Sequence, residues 1–291
     1  MHNKHKPATL SYPIPRIEKD CIRRKTSKIQ HSLCVGIITV PYEQQQKHSN
    51  DVSHVMKSYV DWFEQHGIRV LPIPYNTPEP DTYFQLINGL FISGGNMPFI
   101  MKHTSFIKTV TRFFELSLQK GEYFPIWGTC FGFELLMFLI GRFTTLKQYD
   151  AHGLYPTTIT NSSRMLHGFS KRYLHYLEHN KSTMHNHFYG ISPEDFIQNS
   201  HLRRFYNIIA TSVDNEGKPF VNMIEAKYYP IYGVQFHPER QKTTSAFLDF
   251  FISELRKNTH KCIAIPSLRV YQPLQKCITY RENKKVLCYM F

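Results

Sequence analysis

The chain has 291 residues, 42% of them hydrophobic, enough to bury one large core and with nothing that demands a second. Its formal net charge is +13, yet residues 1–31 hold eight Lys/Arg against two acids, residues 256–291 hold eight against one, and the 224 between hold nineteen of each sign. A neutral body between basic ends argues against a nucleic-acid groove, and no run approaches the ~20 apolar residues of a membrane span.

Met1 to Gln30 carries His, Lys, Pro and Arg where a signal peptide needs an apolar stretch, so no export signal is expected. The two N-x-S sequons, at Asn161 and Asn180, matter only if the chain enters the secretory pathway. Six cysteines form no C-x-x-C pair, which disfavours zinc and thioredoxin chemistry. Neither a metal nor an organic cofactor is expected.

From Leu33 onward short apolar runs alternate with amphipathic stretches, the rhythm of a doubly wound, mostly parallel α/β sheet flanked by helices. Cys34 to Ile38 reads as a first strand. Val52, Val55, Met56, Tyr59, Val60 and Phe63 recur at three- and four-residue steps and predict one helix ending at Gly67. Ile68 to Ile73 and Gly89 to Ser93 are the next strands, the latter closed by Gly94-Gly95, where the backbone can turn with positive φ or approach a ligand closely. A helix with Phe106, Ile107, Val110, Phe113, Phe114 and Leu118 follows and ends near Gly121. Strands joined by such crossovers are expected to be parallel.

The run Phe124-Pro125-Ile126-Trp127 then leads through Gly128-Thr129-Cys130-Phe131-Gly132 into the helical Phe133-Glu134-Leu135-Leu136-Met137. A cysteine between strand and helix is the thiol version of the nucleophile elbow, with the glycines allowing a sharp reversal. The helix start is expected to lower its pKa. After Gly141 short β-like runs take over, among them Asn207 to Val213 and Pro219 to Ala226, as added β structure in the second half. The run Tyr228 to Phe236 enters His237-Pro238-Glu239, and a last helix carries Phe247, Leu248, Phe251 and Leu255. The order nucleophile Cys130, base His237, orienter Glu239 is triad logic, with Pro238 stiffening the turn that brings the carboxylate to the imidazole. The expected division is a basic N-terminal appendage over 1–31, a catalytic domain over 32–261 and a basic extension over 262–291.

Three stretches, Ile87 to Gly95, Tyr123 to Glu134 and Tyr229 to Glu239, resemble class I glutamine amidotransferase-like proteins, and more closely the γ-glutamyl hydrolases (folylpoly-γ-glutamate hydrolases) among them. The resemblance spans roughly residues 33–260. Glu134 stands where amidotransferases tend to have Gln, which favours a hydrolase. Ser93 and Phe236 replace the Pro and Trp common in the family, and Arg240 to Thr244 replaces a longer loop.

The resemblance implies a γ-glutamyl thioester on Cys130, His237 as base and then acid, and Glu239 holding the imidazole. It also implies an oxyanion hole from the Phe131 and Gly95 N–H groups at the Gly94-Gly95 turn, with Glu134 at the substrate. An accessory histidine is implied at His187, or at His185 if the register is off by two. The implied partner is a small-molecule substrate, the poly-γ-glutamate tail of folates, handled by a homodimer in lysosome, vacuole or outside the cell; without a signal the alternative is cytoplasmic. A glutaminase or amidotransferase subunit, and a non-catalytic interaction protein retaining the fold, are the alternative functions.

Overall fold

The computed structural model describes residues 33–42, 52–141, 146–262, 274–278 and 285–291. The expected appendage over 1–31 lies outside the described residues.

In the first half β1 (Cys34–Ile38), β2 (Val40–Pro41), β3 (Ser53–Met56), α1 (Lys57–Glu64), β4 (Arg69–Ile73), α2 (Pro80–Leu86), β5 (Gly89–Ile92), α3 (Met97–Ile100), α4 (Thr104–Ser117), β6 (Ile126–Thr129) and α5 (Phe131–Gly141) follow in order. The second half brings β7 (Lys147–Tyr155), β8 (Thr158–Ile159), α6 (Arg164–His167), α7 (Lys171–His179), β9 (Thr183–Gly190), α8 (Pro193–Gln198), α9 (Ser200–Phe205), β10 (Tyr206–Val213), β11 (Pro219–Ala226) and β12 (Ile231–Val234). It closes with α10 (Ser245–Leu255), β13 (Leu274–Ile278) and β14 (Lys285–Met290).

The main sheet has eight strands in the order β4-β1-β5-β6-β12-β11-β10-β8. Pairings from β4 to β12 are parallel, and those from β12 through β11 and β10 to β8 are antiparallel. The doubly wound, mostly parallel sheet read from the sequence is therefore present, with the antiparallel addition in the second half.

Period-two alternation puts successive residues on opposite faces. Cys34, Ile38, Leu90, Ile92 and Ile126 pack with Phe113, Phe114 and Leu136 in one cluster, whereas Val35, Ile37, Phe91, Trp127 and Tyr232 pack with Phe63, Phe247 and Phe251 in another. Helices α4 and α5 thus cover one face, and α1 and α10 the other. Residues Phe131 to Met137 of α5 are all buried, which is why this helix is apolar on every side instead of amphipathic.

The helix expected from Val52 is two elements. Ser53–Met56 is strand β3, and only Lys57–Glu64 is helical. The β-branched Val55 is buried on a strand paired with β2 on one side and β14 on the other, so sheet pairing overrides the helical spacing. Within the segment expected as a basic extension, Lys285–Met290 runs antiparallel to β3, Phe291 and Ser53 exchange two backbone hydrogen bonds, and Cys288 and Tyr289 are buried. This stretch, an extension in sequence, is part of the fold in space. Among the described residues no helix is long and apolar enough to cross a membrane.

Candidate active site

Strand β6 ends at Thr129, and Cys130 turns the chain with φ of 54°, the one non-glycine residue with positive φ among those described. That left-handed conformation costs an L-residue about 1–2 kcal/mol. Two backbone hydrogen bonds hold it: the Cys130 N–H donates to Val234 O at 2.9 Å, and the Glu134 N–H donates to Cys130 O at 3.0 Å. The flanking glycines serve close approach, not positive φ. A Cβ on Gly132 would lie 2.1 Å from Ile92 O, and one on Gly128 would lie 2.6 Å from Gly132 C.

Gly94 and Gly95 follow β5, the strand paired with β6, so the turn lies beside the nucleophile. A Cβ on Gly94 would sit 3.3 Å from Cys130 Cβ, 2.9 Å from His237 Cε1 and 2.8 Å from Tyr59 Oη. Thiol, imidazole and phenol therefore surround one point that only a hydrogen can occupy. At Gly95 the crowding is against Ile100 Cδ1, 2.4 Å from an added Cβ. The Gly94 N–H donates to Tyr59 Oη at 3.1 Å, which leaves the amides of Gly95 and Phe131 as the oxyanion candidates.

His237 follows β12, the other neighbour of β6. Its Nδ1–H donates to Glu239 Oε1 at 2.9 Å, which leaves Nε2 to carry the lone pair. Glu239 stands in a short 3₁₀ turn, Pro238–Arg240, with its side chain fully buried. Arg240 Nε lies 3.5 Å from the same Oε1 while its side chain is 31% exposed, so its charge spans from the carboxylate to solvent.

Burial pushes the Cys130 thiol well above its ordinary value and Glu134 pushes it further, against smaller opposing effects of Arg240 and the Phe131 N–H. The depression expected from the helix start is thus outweighed: in a dry pocket the resting sulfur is a thiol. Burial likewise holds His237 below the ordinary histidine value, Glu239 working against it. The resting pair is a neutral thiol beside a neutral imidazole.

Glu134, in the first turn of α5, is buried and accepts a hydrogen bond from Gln235 Nε2 at 3.0 Å. His185 and His187 are both buried on β9. His187 Nδ1–H donates to Tyr189 O at 2.9 Å, and the remaining Nε2 takes the proton of His185 Nδ1 at 3.1 Å. Strand β9 touches the base directly, since the His237 N–H donates to Met184 O at 2.7 Å. The sequence left open which histidine serves the site; the structure holds the two as one hydrogen-bonded pair behind His237.

Sequence reasoning assigned no role to Tyr59, Gln235 or Arg240. Tyr59 read as one apolar position of a helix face, although a phenol on a fully buried face needs a hydrogen-bond partner. Gln235 is a buried polar residue just past β12, in an otherwise apolar run, a signal of the same kind.

A family model described as glutamine amidotransferase class-I matches residues 50–253. Gamma-glutamyl hydrolase B of Dictyostelium discoideum is 33% identical over 260 residues, covering 80% of this chain and 75% of its own length. The γ-glutamyl hydrolase of Homo sapiens is 32% identical over 233 residues, covering 71% and 72%. A solved GMP synthase subunit protein of Thermoplasma acidophilum superposes with a TM-score of 0.55 at 16% identity over 78% of this chain and 96% of that one, a likeness of fold alone. With a family model over most of its length and relatives a third identical over most of both chains, this chain belongs to the γ-glutamyl hydrolase family of class I glutamine amidotransferase-like proteins.

Proposed function

We propose that this hydrolase cleaves γ-glutamyl amide bonds in poly-γ-glutamylated small molecules, folates foremost, through a thioester on Cys130. The observation that carries the reading is the left-handed Cys130, pinned by its own amide to the last residue of β12, the strand that leads to the His237–Glu239 pair.

In this reading Cys130 Sγ attacks the γ-carbonyl carbon as its proton passes to His237 Nε2, giving a tetrahedral oxyanion. The Gly95 and Phe131 amides receive that oxyanion, each worth about 3 kcal/mol in the transition state. Collapse breaks the C–N bond, and His237 returns the proton to the leaving amine. Water then enters, His237 takes its proton, and the thioester opens to the free acid and the thiol. Glu239 keeps Nδ1 protonated throughout and steadies the imidazolium. The low-lying His237 titration suits a base that must be neutral at the start. Arg240, partly exposed at the rim, supplies positive charge for an anionic tail. A homodimer belongs to the same reading and is checked by sedimentation.

The test is incubation with a γ-linked oligoglutamate and, separately, with free glutamine, using wild type and Cys130→Ala. Cleavage of the oligoglutamate that vanishes in Cys130→Ala is expected. Turnover of glutamine alone would overturn the substrate, and glutamate release indifferent to Cys130→Ala would overturn the nucleophile.

A further inference from the structure

We propose that Tyr59 is a positioning residue of this site: its one phenolic oxygen ties the Gly94-Gly95 turn to the His237 imidazole, and so keeps the oxyanion donors in register with the base. The inference rests on the reading of Cys130 and His237 as nucleophile and base.

Tyr59 lies on α1, across the sheet face from the helix that begins at the nucleophile. Its ring packs on Phe91 at 5.2 Å in an aromatic cluster with Trp62 and Phe63, a role Phe would fill as well. The hydroxyl is what Phe lacks. A buried hydroxyl costs stability unless it is bonded, and here its two neighbours are parts of the site instead of a structural carbonyl. The Gly94 N–H donates to Oη at 3.1 Å, and His237 Nδ1 lies 3.4 Å from Oη as a longer second contact beside its bond to Glu239. Nδ1 carries one proton, directed at Glu239 Oε1 and only at longer range toward Oη, so Oη accepts the Gly94 N–H from one side of the cleft and lies against the positive end of the imidazole N–H on the other.

The groups that face Tyr59 come from every element around the site: Cys130 from the β6–α5 turn, Gly94 from the β5 end, and His237, Glu239 and Arg240 from the β12 end. Burial and the Glu239 charge raise its titration well above the ordinary tyrosine value. The phenol therefore stays neutral over the working range and anchors without adding charge. Its oxygen favours the imidazolium over the imidazole, because a charged Nδ1–H donates more strongly. Loss of that oxygen disfavours the thiolate–imidazolium pair and slackens the glycine turn.

The experiment is Tyr59→Phe, read in three ways. Thermal melts report folding. The pH dependence of Cys130 alkylation by iodoacetamide, followed by mass spectrometry of the Cys130 peptide, reports the thiol–imidazole pair without any γ-glutamyl substrate. Steady-state kinetics on the γ-linked oligoglutamate report catalysis. The expected result is a melt close to wild type, an alkylation midpoint raised by about 0.5 pH unit, and kcat lowered roughly tenfold with KM within about twofold. In the double variant with Glu239→Gln the losses in kcat should be less than multiplicative, since both groups act on Nδ1.

An unchanged alkylation profile with unchanged kcat, or a change in melting alone, would reduce Tyr59 to a core aromatic and overturn the proposal. A shifted alkylation midpoint in a protein that does not cleave the oligoglutamate would sink the substrate reading and leave the positioning role standing.

Discussion

The Cys130 N–H donates to Val234 O at 2.9 Å, and Val234 is the last residue of β12, from which the chain runs through Gln235 and Phe236 to His237. Nucleophile and base therefore lie just past the same edge of two adjacent parallel strands, and one backbone bond ties the nucleophile to the end of the strand that leads to the base. Their spacing is set by the sheet, not by a loop, and substitutions that leave the sheet intact should change chemistry without changing architecture.

Cys130→Ala should retain the fold and lose at least about 10³-fold in turnover, as removal of a covalent nucleophile does. Cys130→Gly should be equally inactive yet more stable than Cys130→Ala by about 1 kcal/mol, because the left-handed strain that glycine relieves exceeds the extra backbone entropy it loses on folding. Urea midpoints of the two variants decide it: a glycine variant no more stable than the alanine one would mean that the elbow is unstrained.

Gly132 of the elbow and Gly168, outside the site, differ sharply in what surrounds them. Gly132→Ala brings a methyl group within 2.1 Å of Ile92 O, a backbone atom that cannot yield without parting β5 from β6, whereas nothing lies within 4 Å of a Cβ on Gly168. Gly132→Ala should cost more than about 4 kcal/mol or prevent folding, and Gly168→Ala should fall within about 0.5 kcal/mol of wild type. Equal melting temperatures for the pair would contradict the close approach.

Much of this was legible in the sequence because the β–α alternation is strong: buried strands read as continuous apolar runs, and the elbow and the His-Pro-Glu turn fall where those runs stop. What was not legible depends on distant pairing. Ser53 to Met56 has helical spacing but is drawn into a strand by β2 and by β14, more than 200 residues away in sequence. The thiol's raised titration follows from burial by several elements at once, which the local helix start cannot reveal. Tyr59 meets Gly94 and His237 only after α1 packs on the sheet, so its hydroxyl looked incidental.

Strand β14 supports the helix that bears Tyr59. Tyr289 is buried at 1% exposure in the cluster with Tyr59, Phe63 and Val55, and its strand pairs with β3 immediately before α1. Tyr289→Ala should destabilise the protein by about 3–5 kcal/mol through the cavity it leaves. A loss below about 1 kcal/mol in chemical denaturation would show that the C-terminal strand adds little to the core.

Glu239→Gln keeps the shape of the 3₁₀ turn and removes the charge. Glu239 raises the His237 titration against the lowering effect of burial, so its neutralisation should move the acid limb of kcat/KM to lower pH while kcat falls by about 10²-fold or more. The sign is specific. Above the limb the imidazole is neutral and able to accept the thiol proton, and a charge that favoured the imidazolium has gone. A limb that moves upward would mean that Glu239 does not act on His237.

Stability should decline with acid through buried neutral histidines. His54, on β3, is pushed down from 6.5 to about 4 by burial, and its Nδ1 has no hydrogen-bond partner. In the unfolded chain His54 takes up a proton as pH falls through 6.5; in the folded protein it does so only near 4. Its contribution is therefore complete above 6.5 and lost progressively between 6.5 and about 4, reaching about 3 kcal/mol at the lower end. His185 and His237, both lowered by burial, act in the same direction. His54→Phe, outside the candidate site, should leave a shallower fall in urea midpoint between pH 7 and pH 4.5 than wild type shows, with the gap widening as pH drops. Parallel curves for the two proteins would mean that His54 is protonated in the folded state at the same pH as in the unfolded chain, and that the acid sensitivity arises elsewhere.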